Sequence, residues 1–194
     1  MANKGILDIP DSADTDIKIT YQYLIGSGDF IIDLDLEDYQ KDASIGPSFK
    51  FFVDDVVGSL GNNRAHIQLY DNAGTWWINF YYKINGAATQ NVGSETPSAR
   101  PTKLRIVRSG NNIEGWYYDG GWDIIGSAVD FGIYASNIDL IKLSFIDTSN
   151  NRGGSVTFDN LRFRDGCPSG YPKAWTTTST TTTMTTTTTT APPP

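Results

Sequence analysis

Cysteine and histidine are almost missing from this chain: its 194 residues hold one of each, Cys167 and His66. A lone cysteine excludes an internal disulfide. Cys167 is read as an inert thiol just past the last strand, or, in a secreted protein, as half of an intermolecular bond. With so few of these residues there is no Cys/His zinc set, and no spacing from which a histidine-based triad or a Cys/His dyad can be argued. P-loop and dinucleotide-binding glycine patterns are absent too. No run of about 18 apolar residues occurs, so no helix spans a membrane. No Lys/Arg cluster occurs either: 15 basic residues face 22 acidic ones, for a net charge of −7. That balance argues against a nucleic-acid partner. The segment Met1–Thr15 lacks the apolar stretch of a signal peptide, which leaves a removed signal, a fragment or a cytoplasmic chain. There is no Asn-x-Ser/Thr acceptor site for N-glycosylation. No window sustains a 3.6-residue apolar period, which removes an α-helical architecture.

What is present is alternation. Ile17, Ile19, Tyr21 and Tyr23 alternate with Lys18, Thr20 and Gln22. Phe30, Ile32, Leu34 and Leu36 alternate with Ile31, Asp33, Asp35 and Glu37, the clearest period-two stretch in the chain. Such spacing puts apolar side chains on one face of a half-buried strand. Further strands are expected at 48–54, 64–70, 75–84, 138–147 and 155–163, with another around 131–134, separated by clusters of Gly, Asn and Asp. The polar, Pro/Gly-punctuated stretch 85–102 reads as a loop. Within 103–127, Gly110-Asn111-Asn112 and Gly120-Gly121 separate three short runs, the pattern of consecutive antiparallel hairpins. Ten to twelve short strands joined by turns indicate an all-β sandwich or barrel of about 150 residues, large enough to bury a full core without disulfides.

The flanks differ. Residues 1–15 form a polar extension with one apolar patch, Ile6, Leu7 and Ile9, read as an edge strand of the same domain or one lent to a neighbouring molecule. The sandwich is expected over 16–166. From 167 to 194 the composition is that of a non-globular Thr/Pro-rich tail. It cannot bury apolar surface, and Thr-rich tracts with Pro are typical of O-glycosylated stalks. The acceptor candidates are Thr176, Thr177, Thr178, Thr180, Thr181, Thr182, Thr183, Thr185, Thr186, Thr187, Thr188, Thr189 and Thr190. A bare linker to a further module is the other reading, and the stalk reading places the protein outside the cell or at its surface.

Two constellations could carry chemistry. Asp33, Asp35 and Glu37 share one strand face at about 7 Å intervals, a spacing within the range used for glycoside hydrolysis. With no basic partner in the strand, they are also the candidates for Ca²⁺, with Asp54, Asp55 and Asp159 behind them. The plainer reading is the solvent face of an amphipathic strand, and no cofactor is otherwise implied. The aromatics say more. Trp76, Ile78, Phe80 and Tyr82 form one face of their strand and Thr75, Trp77, Asn79, Tyr81 and Lys83 the other. Aromatic rings beside amides on an open sheet face suit sugars, whose C–H faces stack on rings while their hydroxyls take hydrogen bonds. Trp116, Tyr118 and Trp122 could extend that surface. A protein contact or simple packing would use the same residues. His66 shares a face with Gln68 and not with Ile67.

Leu104–Arg108, the turn Gly110–Asn112, the strand Ile113–Tyr118 and the step Asp119-Gly120-Gly121-Trp122 resemble the concanavalin A-like lectin/glucanase superfamily, in particular its LamG-like modules. Gly28–Ile32 and Val156–Leu161 resemble the first and last strands of such modules. The likeness spans roughly 16–165 and implies a two-sheet antiparallel jelly-roll sandwich. Members of that superfamily bind sugars or proteins, cleave glycans, or serve as structural modules. Its laminarinase-like enzymes carry Glu-x-Asp-x-x-Glu or Glu-x-Asp-x-Glu; Asp33-x-Asp35-x-Glu37 begins with Asp and lies near the start of the domain, so catalysis is not carried over. The expected function is therefore a non-catalytic extracellular structural or assembly subunit, self-associating into filaments. The alternatives are a carbohydrate-binding module tethered by the tail, and a glycoside hydrolase or lyase using Asp33, Asp35 and Glu37.

Overall fold

The computed structural model describes residues 5–9, 21–24, 28–41, 47–55, 61–146 and 154–163. Cys167 and the threonine tract lie outside the described residues, as do residues 17–20 of the first expected strand. Among the described residues are thirteen strands. They are β1 (Gly5–Ile9), β2 (Tyr21–Leu24), β3 (Phe30–Lys41), β4 (Ser48–Asp54), β5 (Arg64–Asn72), β6 (Thr75–Lys83) and β7 (Gln90–Glu95). Then follow β8 (Lys103–Ser109), β9 (Asn112–Tyr118), β10 (Trp122–Ile124), β11 (Val129–Asp130), β12 (Leu140–Ile146) and β13 (Gly154–Phe163).

The strands form two antiparallel sheets, a jelly-roll sandwich. One has the order β1-β13-β3-β8-β9-β10, with β11 also paired to β9, and the other the order β2-β12-β4-β5-β6-β7. β1 is an edge strand of its own chain, paired to β13 from Gly5↔Phe158 to Ile9↔Gly154. The alternation in the sequence becomes the core. Ile32, Leu34, Leu104, Ile106 and Ile113 of the seven-stranded sheet meet Phe49, Phe51, Ile67, Leu69, Ile78 and Phe80 of the other, all fully buried. Each such side chain contributes about 2 kcal/mol of hydrophobic stabilisation. The β5–β6 hairpin turns through Ala73 and Gly74, both at positive φ (53° and 89°). Those signs at both central residues match the right-handed twist of the flanking strands.

Two local expectations are corrected. The stretch 85–102 is not all loop: Gln90–Glu95 adds β7 to the edge of the six-stranded sheet, with a register shift at Phe80/Tyr81. An edge strand needs only backbone hydrogen bonds to one neighbour, and Val92 alone packs on the core, so no alternation marks it. The strand expected around 131–134 is instead a 3-10 helix, Gly132–Asn137. Gly132 turns the chain at φ 53°, and Phe131, Ala135 and Ile138 face inward.

Candidate functional site

Side chains of β4, β5 and β6 that do not enter the core stand on the outer face of the six-stranded sheet, and register aligns them in rows. Phe52 lies opposite His66 and His66 opposite Tyr81. Their rings stack, with centroids 4.6 and 5.1 Å apart and planes at 28° and 19°. The next row is polar: Lys50 opposite Gln68, Gln68 opposite Asn79, Asn79 opposite Ser94 of β7. The row after that is aromatic again, with Tyr70 and Trp77 stacked at 6.4 Å and 9°. Successive rows are about 7 Å apart, two residues along a strand.

The inner part of this face is closed. Phe52, His66, Asn79, Lys142 and Ser144 are buried, and Asp54 is 0% exposed. Asp54 receives a 2.9 Å hydrogen bond from Lys142 Nζ and two more from the backbone N–H groups of Asp55 and Gly61. Burial still pushes its carboxyl above the usual range against those partners. Towards β6 the face opens, and Gln68, Tyr70, Trp77 and Tyr81 are partly accessible. Gln68 Nε2 donates to Ser48 Oγ at 3.0 Å, which orients its amide. Burial, then the charges of Lys50 and Arg64, hold His66 well below the ordinary imidazole range, so the ring is neutral. Its Nδ1 is buried with no hydrogen-bond partner. Burial and the nearby Tyr70 raise the Tyr81 phenol, which therefore stays protonated and able to donate.

Three of the residues singled out in the sequence, Trp77, Asn79 and Tyr81, meet on this face. Trp116 and Trp122 do not join them. They stand on the outer face of the other sheet, where Trp116 Nε1 donates to Glu114 at 2.9 Å. Trp122 packs edge-on against Tyr118 and lies 3.9 Å from the Arg105 guanidinium carbon. The aromatic surface is thus two surfaces on opposite sides of the molecule, because β6 and β9 belong to different sheets.

The carboxylate row is also corrected. It was expected to lack basic partners, yet Asp33 is buried and takes two hydrogen bonds from Arg105, at 2.5 and 3.0 Å. Asp35 meets Lys103 at 2.8 Å, Arg162 at 3.0 Å and Asn160 at 3.1 Å. Burial alone would raise its carboxyl, but these partners together bring it below the usual range. The cations come from β8 and β13, 68 to 127 residues away in the chain, so no single-strand pattern reveals them. Glu37 is exposed. Among the described residues no three acidic, His or Cys side chains converge as a metal-binding group; Asp159 instead accepts from the Asn160 backbone N–H. The carboxylates of Asp33 and Asp35 are thus engaged in ion pairs with Arg105, Lys103 and Arg162.

Phe52, Gln68 and Tyr70 are members of the site that sequence reasoning did not assign. Tyr70 has a signal, since it continues the alternation His66, Gln68, Tyr70. Phe52 has none, because its place beside His66 follows from strand order.

The two-sheet arrangement is similar to that of solved structures. A legume lectin-like domain from Entamoeba histolytica is similar over 85% of this chain and 90% of that one, at 9% identity and a TM-score of 0.50. The fold is a lectin-like β-sandwich. A GH43 glycoside hydrolase from Bacillus licheniformis is similar over 81% of this chain at 15% identity and a TM-score of 0.50. This chain spans only 32% of that enzyme's length. A protein of unknown function from Saccharomyces cerevisiae is similar over 84% of this chain and 88% of its own, at 10% identity and a TM-score of 0.48. At such identities the likeness is one of fold alone. No family model matches the sequence, and no curated protein matches it. No helix among the described residues is long and apolar enough to cross a membrane.

Proposed function

We propose that this protein is a non-catalytic glycan-binding domain whose binding surface is the open part of the outer face of the six-stranded sheet. The observation that carries this is the alternation of rows: stacked aromatics, then amides and a hydroxyl, then stacked aromatics. Sugars present apolar C–H faces and a rim of hydroxyls, so a binding surface for them pairs aromatic faces with a few placed polar groups. Trp77 and Tyr81 are the stacking platforms. Gln68 and the Tyr81 hydroxyl are the accessible hydrogen-bonding groups between and beside them, next to the buried Asn79. The lectin-like fold is compatible with this reading and does not by itself carry it. The threonine tract, as an O-glycosylated stalk, would hold the domain away from a surface or an attached module.

The assembly-subunit expectation rests on the tail and the N-terminal segment. The glycan reading is preferred because its support lies in side chains held in register on the outer face of the sandwich. A glycan array probed with the native protein is expected to give bound spots. Trp77→Ala is expected to remove them, and a melting curve checks that the variant is folded. Undiminished binding by a folded Trp77→Ala, Tyr81→Ala double variant would move the site off this face.

A further inference from the structure

The row that borders the His66–Tyr81 rings is charged. Arg64 of β5 and Lys83 of β6 lie directly opposite each other. Like charges in opposed positions of adjacent strands destabilise the pair. Asp54 and Asp55 lie beside Arg64 and raise its basicity, although burial wins and lowers it. Asp54 is already bonded to Lys142, and Asp55 accepts from Asn63. Arg64 is tied to Gly61 O at 2.6 Å and Thr89 Oγ1 at 3.1 Å, and its Nε is buried without a partner. Lys83 makes no ion pair among the described residues and is partly accessible. Two rows further on, past the His66–Tyr81 rings, Lys50 flanks Gln68. On the outward positions of β4, β5 and β6 the cations are Lys50, Arg64 and Lys83, and the only carboxylate is the fully buried Asp54. This happens in a chain whose acidic residues outnumber its basic ones by 22 to 15. The local potential is therefore positive where the whole molecule is negative. The same potential is felt at His66, where Lys50 and Arg64 add to burial in keeping the ring unprotonated.

We propose that the ligand of this face is an anionic glycan, a saccharide bearing carboxylate or sulfate, with its charged group at Lys83 and Arg64 and its rings along Tyr81 and Trp77. This rests on the glycan-binding reading above and specifies its ligand class. The acidic group would give Lys83 the negative partner it lacks among the described residues, beside Arg64, whose neighbours Asp54 and Asp55 are already bonded to Lys142 and Asn63. The neighbouring Tyr81 hydroxyl and Asn91, which lies opposite Tyr81, would serve the sugar hydroxyls.

The test is an array of oligosaccharides in matched sets: neutral, uronate-bearing and sulfated forms of the same backbone, probed with the full chain. Binding is expected to concentrate on the charged members. Their advantage should shrink as salt rises from about 0.02 M to about 0.5 M, because an exposed ion pair is screened. Lys83→Gln should lower the preference for charged over neutral members by about fivefold, the size of an exposed ion pair. Lys83→Glu should lower it further, and Lys83→Arg should retain it. Uronate-only or sulfate-only binding identifies which anion is recognised and supports the proposal in either case. Equal binding of neutral and charged members, lost in Trp77→Ala, would overturn this proposal and leave the glycan-binding face standing. An anion preference untouched by Lys83→Glu would overturn it by placing the charge elsewhere. Absence of binding to every set would overturn both readings.

Discussion

His66 shows how much one side chain on this face depends on its neighbours. It is 6% exposed, stacked between Phe52 and Tyr81, and neutral, because burial and the charges of Lys50 and Arg64 oppose protonation. In the unfolded chain the imidazole titrates near its ordinary value of 6.5. Below that pH the unfolded state takes up a proton that the folded state does not, so stability falls as pH falls. The slope approaches about 1.4 kcal/mol per pH unit for this one group. Above pH 6.5 the contribution is fully present. Urea unfolding at pH 7.5 and pH 5.5 is expected to show the wild type losing about 1 kcal/mol more than His66→Phe. Equal losses in the two proteins would mean that His66 accepts a proton in the fold. Asp35 acts in a more acidic window and in the same sense: its folded carboxyl is held down, so its stabilisation is present above the unfolded carboxylate range and lost as pH falls through the folded value.

At the scale of strands, β9 and β6 approach closely across the core at Gly115 and Phe80. Gly115 faces inward between Ile113 and Tyr117, and a Cβ built there would lie 2.6 Å from a ring carbon of Phe80. Phe80 is fully buried and cannot swing aside. Gly115→Ala is therefore expected to destabilise by about 1–3 kcal/mol, the cost of an overpacked core. Denaturant unfolding should show a lower midpoint at unchanged slope. Phe80→Leu in the Gly115→Ala background should recover part of the loss, since the two positions are in contact. A neutral Gly115→Ala would show that the sheets have slack at this crossing. Strands with one buried face were legible in the sequence, β3 and β6 above all, because their side chains alternate with a period of two. β7 was not, since an edge strand held by backbone bonds carries no apolar alternation. Nor was the 3-10 helix, whose inward residues Phe131, Ala135 and Ile138 are compatible with several backbones.

At the scale of the whole molecule, the chain joins a sandwich to a threonine tract of different physical character. The tract has no apolar side chains to bury apart from Met184, and threonine hydroxyls are of the kind that O-glycosylation uses. Intact-mass measurement of the native protein is expected to give a value well above 21.3 kDa, spread in hexose-sized steps. A single species at the polypeptide mass would reduce the tract to an unmodified linker. Trypsin digestion ahead of the tract should confine the added mass to the C-terminal peptide. The sandwich itself would then be a compact binding unit carried on an extended stalk.

By itself the sequence determined the strands that alternate around one buried face and the all-β class, because side-chain period and turn chemistry are local properties. It also placed Trp77, Asn79 and Tyr81 on one face of one strand, where they are found. Only the tertiary structure decided what stands beside them. Phe52 and Tyr81 flank His66, and Arg64 faces Lys83, through strand pairing across turns and sheet order. Lys103, Arg105 and Arg162 neutralise Asp33 and Asp35 from strands distant in sequence. Trp116 and Trp122 fall on the opposite side of the molecule. The physical reason is common to all four: neighbours across a sheet are set by order and register, which are global consequences of burying one face of every strand together.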